Sequence, residues 1–260
     1  MAELLGRFVW YELLAADPAA ALAFYPKVTG WGVETFTGLG EPYQMWTLAG
    51  QPLGGTMALP AEAKQAGAPT HWLAYVGTPD VDAAVARAKG LGASVQLAPM
   101  DIPTIGRIAV LADPQGASFA VYAPASPPPP AGPPGIGEFS WHELATTDPT
   151  AAFSFYSALF GWEKKGDGHD MGPLGIYQEY GPKGAPAVGG ICRKPDERPA
   201  PPHFLLYVRT GDLEGALNTV EQGGGRVLNG PMEVPGGDRI AQCLDSQGAA
   251  FALHQTGKAS

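Results

Sequence analysis

The stretch Trp10–Trp31, WYELLAADPAAALAFYPKVTGW, returns as Trp141–Trp162, WHELATTDPTAAFSFYSALFGW. The opening Trp, the Glu-Leu pair, the Asp-Pro pair, the Phe-Tyr pair and the closing Gly-Trp pair all recur at the same distance. Residues with helical spacing and residues with strand spacing are therefore shifted along the chain by the same number of positions. The chain contains two copies of one domain.

The match continues downstream, where His71–Val76 corresponds to His203–Val208. Between the copies, residues 125–137 contain six prolines and almost no large apolar side chain. Such a segment cannot bury a core, and it favours polyproline II conformation. We therefore predict a first domain over 1–124, a Pro-rich linker over 125–137 and a second domain over 138–260.

Composition excludes several classes of protein. The 260 residues, 45% of them hydrophobic, are enough for two globular cores. A net charge of −9 with only 16 dispersed Lys and Arg residues argues against a nucleic-acid-binding surface. No apolar run approaches the roughly 20 residues of a membrane span, and the first residues do not resemble a signal peptide. We expect a cytoplasmic protein, monomeric or homodimeric, with Cys192 and Cys243 reduced.

Local patterns predict that each copy is strand, helix and three strands, followed by the same order again. Asp17 and Pro18 are typical of a helix start, and Gly30 ends that helix. Pro26 should kink or shorten it. The resulting α+β fold has two βαβββ units per copy, which form a curved eight-stranded sheet with helices outside and a cleft on the other face.

The repeated pairs occur with a downstream Asp-x-Gln-Gly turn, at Asp113–Gly116 and Asp245–Gly248. With this pattern the chain resembles the vicinal oxygen chelate superfamily, which includes glyoxalase I, bleomycin-resistance proteins and extradiol dioxygenases. The resemblance covers roughly residues 7–124 and 138–256, and it implies a tandem glyoxalase-like protein. Since one scaffold serves lyases, dioxygenases, epimerases and metal-free binders, it implies the fold more strongly than the function.

The resemblance also implies where metal ligands would stand in each copy. In copy 1 these places are Trp10, Gly54-Gly55, His71 and Ala120. In copy 2 they are Trp141, Gly189-Gly190, His203 and Ala252. A catalytic metal needs about three His or carboxylate ligands, and only the histidines qualify.

We therefore predict no cofactor in either domain and no metal in the first domain. In the second domain, Glu143, His203 and His254 are the one set that offers a divalent metal two imidazoles and a carboxylate. His254 lies two residues beyond the implied ligand position, about 6.6 Å along the strand. This distance favours an organic-ligand site over a metal.

Strand parity places further side chains in the clefts. Glu12 and Glu143 are candidate general bases. The candidate ligand-binding residues are Trp10, His71, Tyr122, Trp141, His203 and His254. Structural roles compete with these assignments, because the histidines could be hydrogen-bonded within the fold, and the glutamates could cap a helix or pair with Arg107 and Arg239.

Three functions remain open. The first is a metal-independent small-molecule binder of the bleomycin-resistance type, in which Trp10, Trp46, Trp72 and Trp141 offer flat surfaces for a planar or aromatic ligand. The alternative is a glyoxalase-like lyase or isomerase that uses a cleft Glu. An extradiol-type dioxygenase is less favoured, because the iron ligands are missing. No Ser-His-Asp elbow, Walker loop or CxxC motif is present.

Overall fold

The computed structural model describes residues 4–126, 128, 132–195 and 200–257. The elements of copy 1 are β1 (Phe8–Ala15), α1 (Pro18–Thr29), β2 (Gly32–Leu39), β3 (Glu41–Leu48), β4 (Gln51–Ala58), α2 (Ala61–Gln65), β5 (His71–Gly77), α3 (Val81–Gly90), β6 (Ser94–Ile102), β7 (Gly106–Ala112) and β8 (Ser118–Pro124). Those of copy 2 are β9 (Phe139–Thr146), α4 (Pro149–Phe160), β10 (Glu163–Asp170), a 3-10 turn (Gly172–Leu174), β11 (Ile176–Gly181), β12 (Gly189–Arg193), β13 (His203–Arg209), α5 (Leu213–Gln222), β14 (Arg226–Glu233), β15 (Arg239–Leu244) and β16 (Ala250–Gln255).

Each copy forms one eight-stranded mixed sheet. The strand orders are β2-β3-β4-β1-β5-β8-β7-β6 and β10-β11-β12-β9-β13-β16-β15-β14. In every βαβββ unit the first strand runs parallel to the last, and the neighbouring strands of each hairpin are antiparallel. The predicted α+β class and the two βαβββ units per copy are confirmed. The short helix α2 and the 3-10 turn are additions that the local patterns did not predict.

Local capping explains where the main helices begin and end. Asp17 accepts hydrogen bonds from the backbone N–H groups of Ala19 and Ala20, and Asp148 accepts one from Ala151. These bonds satisfy donors that a helix leaves without partners in its first turn. Gly30 and Gly161 end α1 and α4 with φ angles of 78° and 72°, which favour glycine.

The predicted shortening of α1 at Pro26 is wrong. Helix α1 has 12 residues, the same length as α4, although Pro26 lies inside it. The Thr29 hydroxyl donates to the carbonyl of Tyr25, and the Gly30 N–H donates to the carbonyl of Pro26. These bonds close the last turn, and the buried side chains of α1 keep it on the sheet despite one missing donor.

The residues group into two compact units that do not coincide with the two sequence copies. The boundaries fall after Trp10 and Trp72, before Gly132, and after Ser140 and Phe204. The first unit contains β6–β8 and α3 from copy 1 with β10–β12 and α4 from copy 2, and the second contains β2–β4 and α1 with β14–β16 and α5. Each unit is thus half of one copy joined to half of the other. The domain limits predicted from the sequence stay a prediction.

Within the first unit, α4 of copy 2 packs on β8 of copy 1. The ring of Phe119 lies 5.4 Å from that of Tyr156, and the Tyr156 hydroxyl donates to Asp113 at 3.1 Å. Asp113 also accepts from the backbone N–H groups of Gln115 and Ala117. Burial raises the pKa of Asp113 against the opposing effect of these bonds.

The second unit repeats this clasp. Tyr25 of copy 1 donates to Asp245 of copy 2 at 3.1 Å, and the rings of Tyr25 and Phe251 lie 5.5 Å apart. Asp245 accepts from the N–H groups of Gln247 and Ala249. The repeated Asp-x-Gln-Gly turn therefore has a structural role, in which the aspartate of one copy holds the tyrosine of the other.

In the predicted linker, residues 125, 126, 128 and 132–137 have neither helix nor strand, and residues 127 and 129–131 lie outside the described ranges. Among the helices that the structure describes, none is long and apolar enough to cross a lipid bilayer.

Candidate functional site

Glu12 lies on β1 and is buried, with 4% of its surface exposed. It stands opposite Gly55 of β4 in the strand register. The hydroxyl of Tyr43, on β3, donates to the Glu12 carboxylate at 2.6 Å. A Cβ atom on Gly55 would lie 2.0 Å from that hydroxyl, so only glycine leaves room for the tyrosine.

The matched position in copy 2 has the same construction with a different hydrogen bond. Glu143 stands opposite Gly190, and a Cβ atom on Gly190 would lie 2.1 Å from the ring of Tyr177. The indole N–H of Trp141 donates to the Tyr177 hydroxyl at 2.7 Å. In both copies a tyrosine thus covers the second glycine of the pair.

The glycine pairs also permit close backbone packing. A Cβ atom on Gly54 would lie 2.4 Å from the carbonyl oxygen of Tyr11, and one on Gly189 would lie 2.1 Å from that of His142. The two tyrosines escaped the sequence analysis. The signal was present, because a tyrosine precedes each Gly-Gly pair by about a dozen residues on the preceding predicted strand.

His71 and His203 begin β5 and β13. In each, Nδ1 lies 2.8 Å from the carbonyl oxygen of the proline two residues earlier, Pro69 or Pro201. A carbonyl can only accept, so Nδ1 of each ring carries a proton and donates it in this contact. The structural role that competed with ligand binding therefore accounts for one nitrogen of each ring.

Trp10 and Tyr122 belong to an apolar cluster on the sheet of copy 1, in the first compact unit. Its buried members are Leu73, Tyr75, Ile108 and Ala120, and its half-buried members include Val9, Trp10, Val110 and Tyr122. The Tyr122 hydroxyl donates to the carbonyl of Ile105 at 2.9 Å. Burial raises the pKa of Tyr122. This surface offers a ligand apolar contacts rather than charge.

His254 has a polar setting in the second compact unit. Its Nδ1 lies 2.8 Å from the hydroxyl of Ser140, and its Nε2 lies 2.7 Å from a carboxylate oxygen of Asp238. The other oxygen of Asp238 accepts from the N–H of Gly257 at 2.9 Å. Burial acts to raise the pKa of Asp238, but the bonds from Gly257 and His254 outweigh it and lower that pKa.

The proposed pairing of the glutamates with Arg107 and Arg239 is wrong. Arg107 pairs with Asp82 at 2.7 Å and with Asp101 at 2.9 Å, and Arg239 pairs with Glu214 at 2.6 Å. These partners are exposed and come from neighbouring helices and strands. Arg107 and Arg239 therefore form ion pairs on the surface of the fold.

Two of the tryptophans expected to face a ligand are core residues instead. Trp46 is fully buried and donates to the carbonyl of Gly55. Trp72 is 6% exposed and donates to the Tyr25 hydroxyl at 2.9 Å. Both lie in the aromatic core of the second unit, because strand parity directs them away from the cleft side.

His142 points away from the face of Glu143, as the alternation of strand residues predicts. It stacks on Phe8 with ring centroids 3.7 Å apart, and its Nδ1 contacts the carbonyl of Val188 at 2.8 Å. Burial lowers the pKa of His142 to about 4, and the bond to Val188 opposes this shift. His142 is therefore a neutral core residue at physiological pH.

The side chains do not fit a resident metal ion. The implied ligand positions carry glycine at 55 and 190 and alanine at 120 and 252, none of which has a donor side chain. Within the described ranges, no three His, Cys, Asp or Glu side chains gather in a way that could hold a metal. The donor set at these positions therefore disagrees with the metal centre that the resemblance implies.

Comparison with known proteins agrees with this architecture. Residues 10–122 match the glyoxalase-like domain, and residues 136–253 match the glyoxalase/bleomycin resistance protein/dioxygenase superfamily. The chain belongs to this superfamily. It is 31% identical to the anthracycline biosynthesis protein DnrV of Streptomyces peucetius, over 95% of this chain and 92% of that protein.

Solved structures share the fold at low sequence identity. The Mn(II)-bound glyoxalase from Novosphingobium aromaticivorans has a TM-score of 0.63 at 16% identity, covering 97% of this chain and 82% of that one. The 2,3-dioxygenase LapB from Pseudomonas sp. KL28 has a TM-score of 0.67 at 12% identity, covering 98% and 94%. These likenesses show the superfamily fold and leave the chemistry to the site residues.

Proposed function

We propose that this protein binds a planar aromatic small molecule without a metal ion, as a binder of the glyoxalase/bleomycin-resistance type. The observation that carries the proposal is the tyrosine over glycine in both copies. Tyr43 covers Gly55 and Tyr177 covers Gly190, at positions where a metal-dependent relative would need a ligand-bearing side chain. An aromatic surface replaces a coordinating one.

The polar groups beside these rings suit a ligand with hydroxyl or carbonyl substituents. Tyr43 is bonded to the Glu12 carboxylate, and Tyr177 is bonded to the indole of Trp141. Aromatic rings next to a few polar groups are typical of sites for flat, substituted ligands. DnrV is described as an anthracycline biosynthesis protein. Anthracyclines are fused planar rings with hydroxyl and carbonyl groups, and this chemistry supports the proposed ligand class.

To test this proposal, the full chain is treated with EDTA and then titrated with doxorubicin, a commercially available anthracycline. Binding is followed by the fluorescence of the ligand. We expect saturable binding that EDTA does not alter. Gly55→Ala and Gly190→Ala should displace Tyr43 and Tyr177, and each should weaken binding at its own copy by about tenfold or more. Gly90→Ala is the control, because a Cβ atom there meets nothing within 4 Å.

Two results would count against the proposal. One is the absence of saturable doxorubicin binding by the EDTA-treated protein. The other is binding that appears only when Zn²⁺, Ni²⁺ or Mn²⁺ is added back.

A specific contact favours a second function, that of a glyoxalase-like lyase or isomerase with Glu12 as the general base. Its carboxylate is buried and oriented by the Tyr43 hydroxyl at 2.6 Å, as a positioned base requires. The measurement is exchange of the acidic C–H of a methylglyoxal hemithioacetal in D₂O, followed by NMR. Exchange that is catalysed by the wild type and lost in Glu12→Gln would support this function over simple binding.

A further inference from the structure

We propose that Ser140, His254 and Asp238 form a nucleophilic triad that transfers the acyl group of small carboxylic esters to water. The three side chains belong to one compact unit and come from three places in copy 2. Ser140 lies on β9, His254 lies on β16, and Asp238 lies in the turn between β14 and β15.

The hydrogen bonds assign a role to each group. Asp238 is an acceptor, so Nε2 of His254, at 2.7 Å from it, carries the imidazole proton. Nδ1 is then an acceptor, and the Ser140 hydroxyl at 2.8 Å donates to it. A carboxylate that orients a histidine, which in turn accepts from a serine, is the order of hydrogen bonds in nucleophilic triads, here with the two ring nitrogens exchanged relative to the Ser-His-Asp template.

The triad is accessible enough to react. The side chain of His254 keeps 16% of its surface exposed and that of Asp238 keeps 35%, and Ser140 is half-buried. Partial burial strengthens the attraction between His254 and Asp238, and the remaining exposure leaves the three side chains partly open to solvent.

Copy 1 shows that the fold does not need this chain of polar groups. At the positions of Ser140, His254 and Asp238 it has Val9, Tyr122 and Gly106. There the Tyr122 hydroxyl donates to the carbonyl of Ile105 in the equivalent turn. Copy 2 instead has a hydroxyl, an imidazole and a carboxylate joined by two hydrogen bonds. Holding the turn in place does not require three such groups.

Two further polar side chains stand on β13 and β15, the strands on either side of β16. Tyr207 and Gln242 both stand opposite Ala252, two residues before His254, and the Gln242 side-chain amide lies 3.4 Å from the Tyr207 hydroxyl. Hydroxyl and amide groups are the kinds of donor that stabilise negative charge on an attacked carbonyl oxygen.

The reaction balances with water as the second reactant. Ser140 Oγ attacks the ester carbonyl carbon while its proton passes to Nδ1 of His254, and the carbonyl π pair moves onto oxygen. That pair returns as the C–O bond to the leaving group breaks, and the leaving alkoxide takes the proton from His254. Water then attacks the acyl-serine in the same way, which releases the acid and restores the Ser140 hydroxyl.

The test combines covalent labelling with hydrolysis. The full chain is treated with a fluorophosphonate probe, the modified peptide is identified by mass spectrometry, and hydrolysis of p-nitrophenyl acetate is measured. We expect the label on Ser140. Ser140→Ala should abolish labelling, and Asp238→Asn should slow both reactions at least about tenfold.

Ser154→Ala is the matched control, because Ser154 is exposed on α4, where its hydroxyl donates to the carbonyl of Thr150 one turn earlier. It should leave labelling and hydrolysis unchanged. Circular dichroism verifies that each variant is folded, and Ser140→Cys, which keeps a nucleophile in place, should still react with iodoacetamide faster than Cys192 and Cys243. A folded wild type that resists the probe, or a label on another serine, would overturn the proposal.

Discussion

The two sheets present matched faces that differ in polarity. On the copy 1 face, Val9, Val110 and Tyr122 pack around a buried cluster that includes Leu73. At the corresponding positions of copy 2 stand Ser140, Gln242 and His254. Ser140 is hydrogen-bonded to His254, and the Gln242 amide contacts the Tyr207 hydroxyl. The strand order is the same in both copies. The two copies thus share one scaffold, but the side chains on this face are apolar in copy 1 and polar in copy 2.

The largest effect should come from removing packing in copy 1. Leu73 is 2% exposed inside the cluster, so Leu73→Ala leaves a cavity and should lower the free energy of unfolding by about 2–5 kcal/mol. Ser140→Ala removes one hydrogen bond and should cost about 0.5–1.5 kcal/mol. Urea denaturation measures both. Equal losses would mean that the two faces contribute to stability in the same way.

A second prediction concerns the pH dependence created by His142, which has Tyr11 at its matched position. Folding lowers the His142 pKa from 6.5 to about 4. Between these values the unfolded chain binds more protons than the folded one, so stability falls as the pH falls from about 6.5 to about 4. One such group contributes up to about 3 kcal/mol.

The variant His142→Phe keeps a ring against Phe8 and removes the titrating group. In this variant the backbone N–H of residue 142 still donates to the carbonyl of Val188. The difference in unfolding free energy between wild type and variant should therefore shrink or reverse over this pH range. The wild type must be compared with the variant at each pH, because Asp113 and Asp245 also titrate. Their pKa values are raised by folding, so their contribution to stability changes with pH in the opposite direction. A constant difference would contradict the buried neutral histidine.

The two tyrosine clasps allow a third comparison. Tyr25 accepts from the indole of Trp72 as well as donating to Asp245, whereas Phe204 stands at the Trp72 position beside Tyr156. Tyr25→Phe should leave a buried indole N–H without its acceptor. It should therefore cost about 1–3 kcal/mol more than Tyr156→Phe in thermal or urea unfolding. A smaller cost for Tyr25→Phe would contradict this account.

The smallest expected stability effects belong to the candidate ligand residues of copy 2. Glu143→Gln and His203→Ala should each change the free energy of unfolding by less than about 1–2 kcal/mol while weakening doxorubicin binding. His71→Ala provides the matched comparison in copy 1, because His71 makes the same contact to a proline carbonyl. A large stability loss with unchanged binding would assign Glu143 and His203 to structure.

Sequence reasoning succeeded where the signal is local. The constant spacing of the Trp10 and Trp141 motifs, the capping by Asp17 and the stop at Gly30 predicted strands and helices that the structure contains, because a few neighbouring residues decide each feature. The sequence predictions were wrong where the outcome depends on contacts between residues that are far apart in the chain. Arg107 and Arg239 have other partners than the glutamates, and Trp46 and Trp72 lie in the core.

By itself, the sequence determined the duplication, the βαβββ order and the shortage of ligand side chains at the implied metal positions, where only His71 and His203 qualify. Periodicity and residue identity suffice for these features. Tertiary structure alone decided that Tyr43 and Tyr177 cover the glycines and that Tyr25 is clasped by Asp245, 220 residues away. It also decided that Ser140 meets His254, 114 residues away. The physical reason is that a hydrogen bond depends on distances of about 3 Å, and for residues so far apart in the chain only the folded backbone sets those distances.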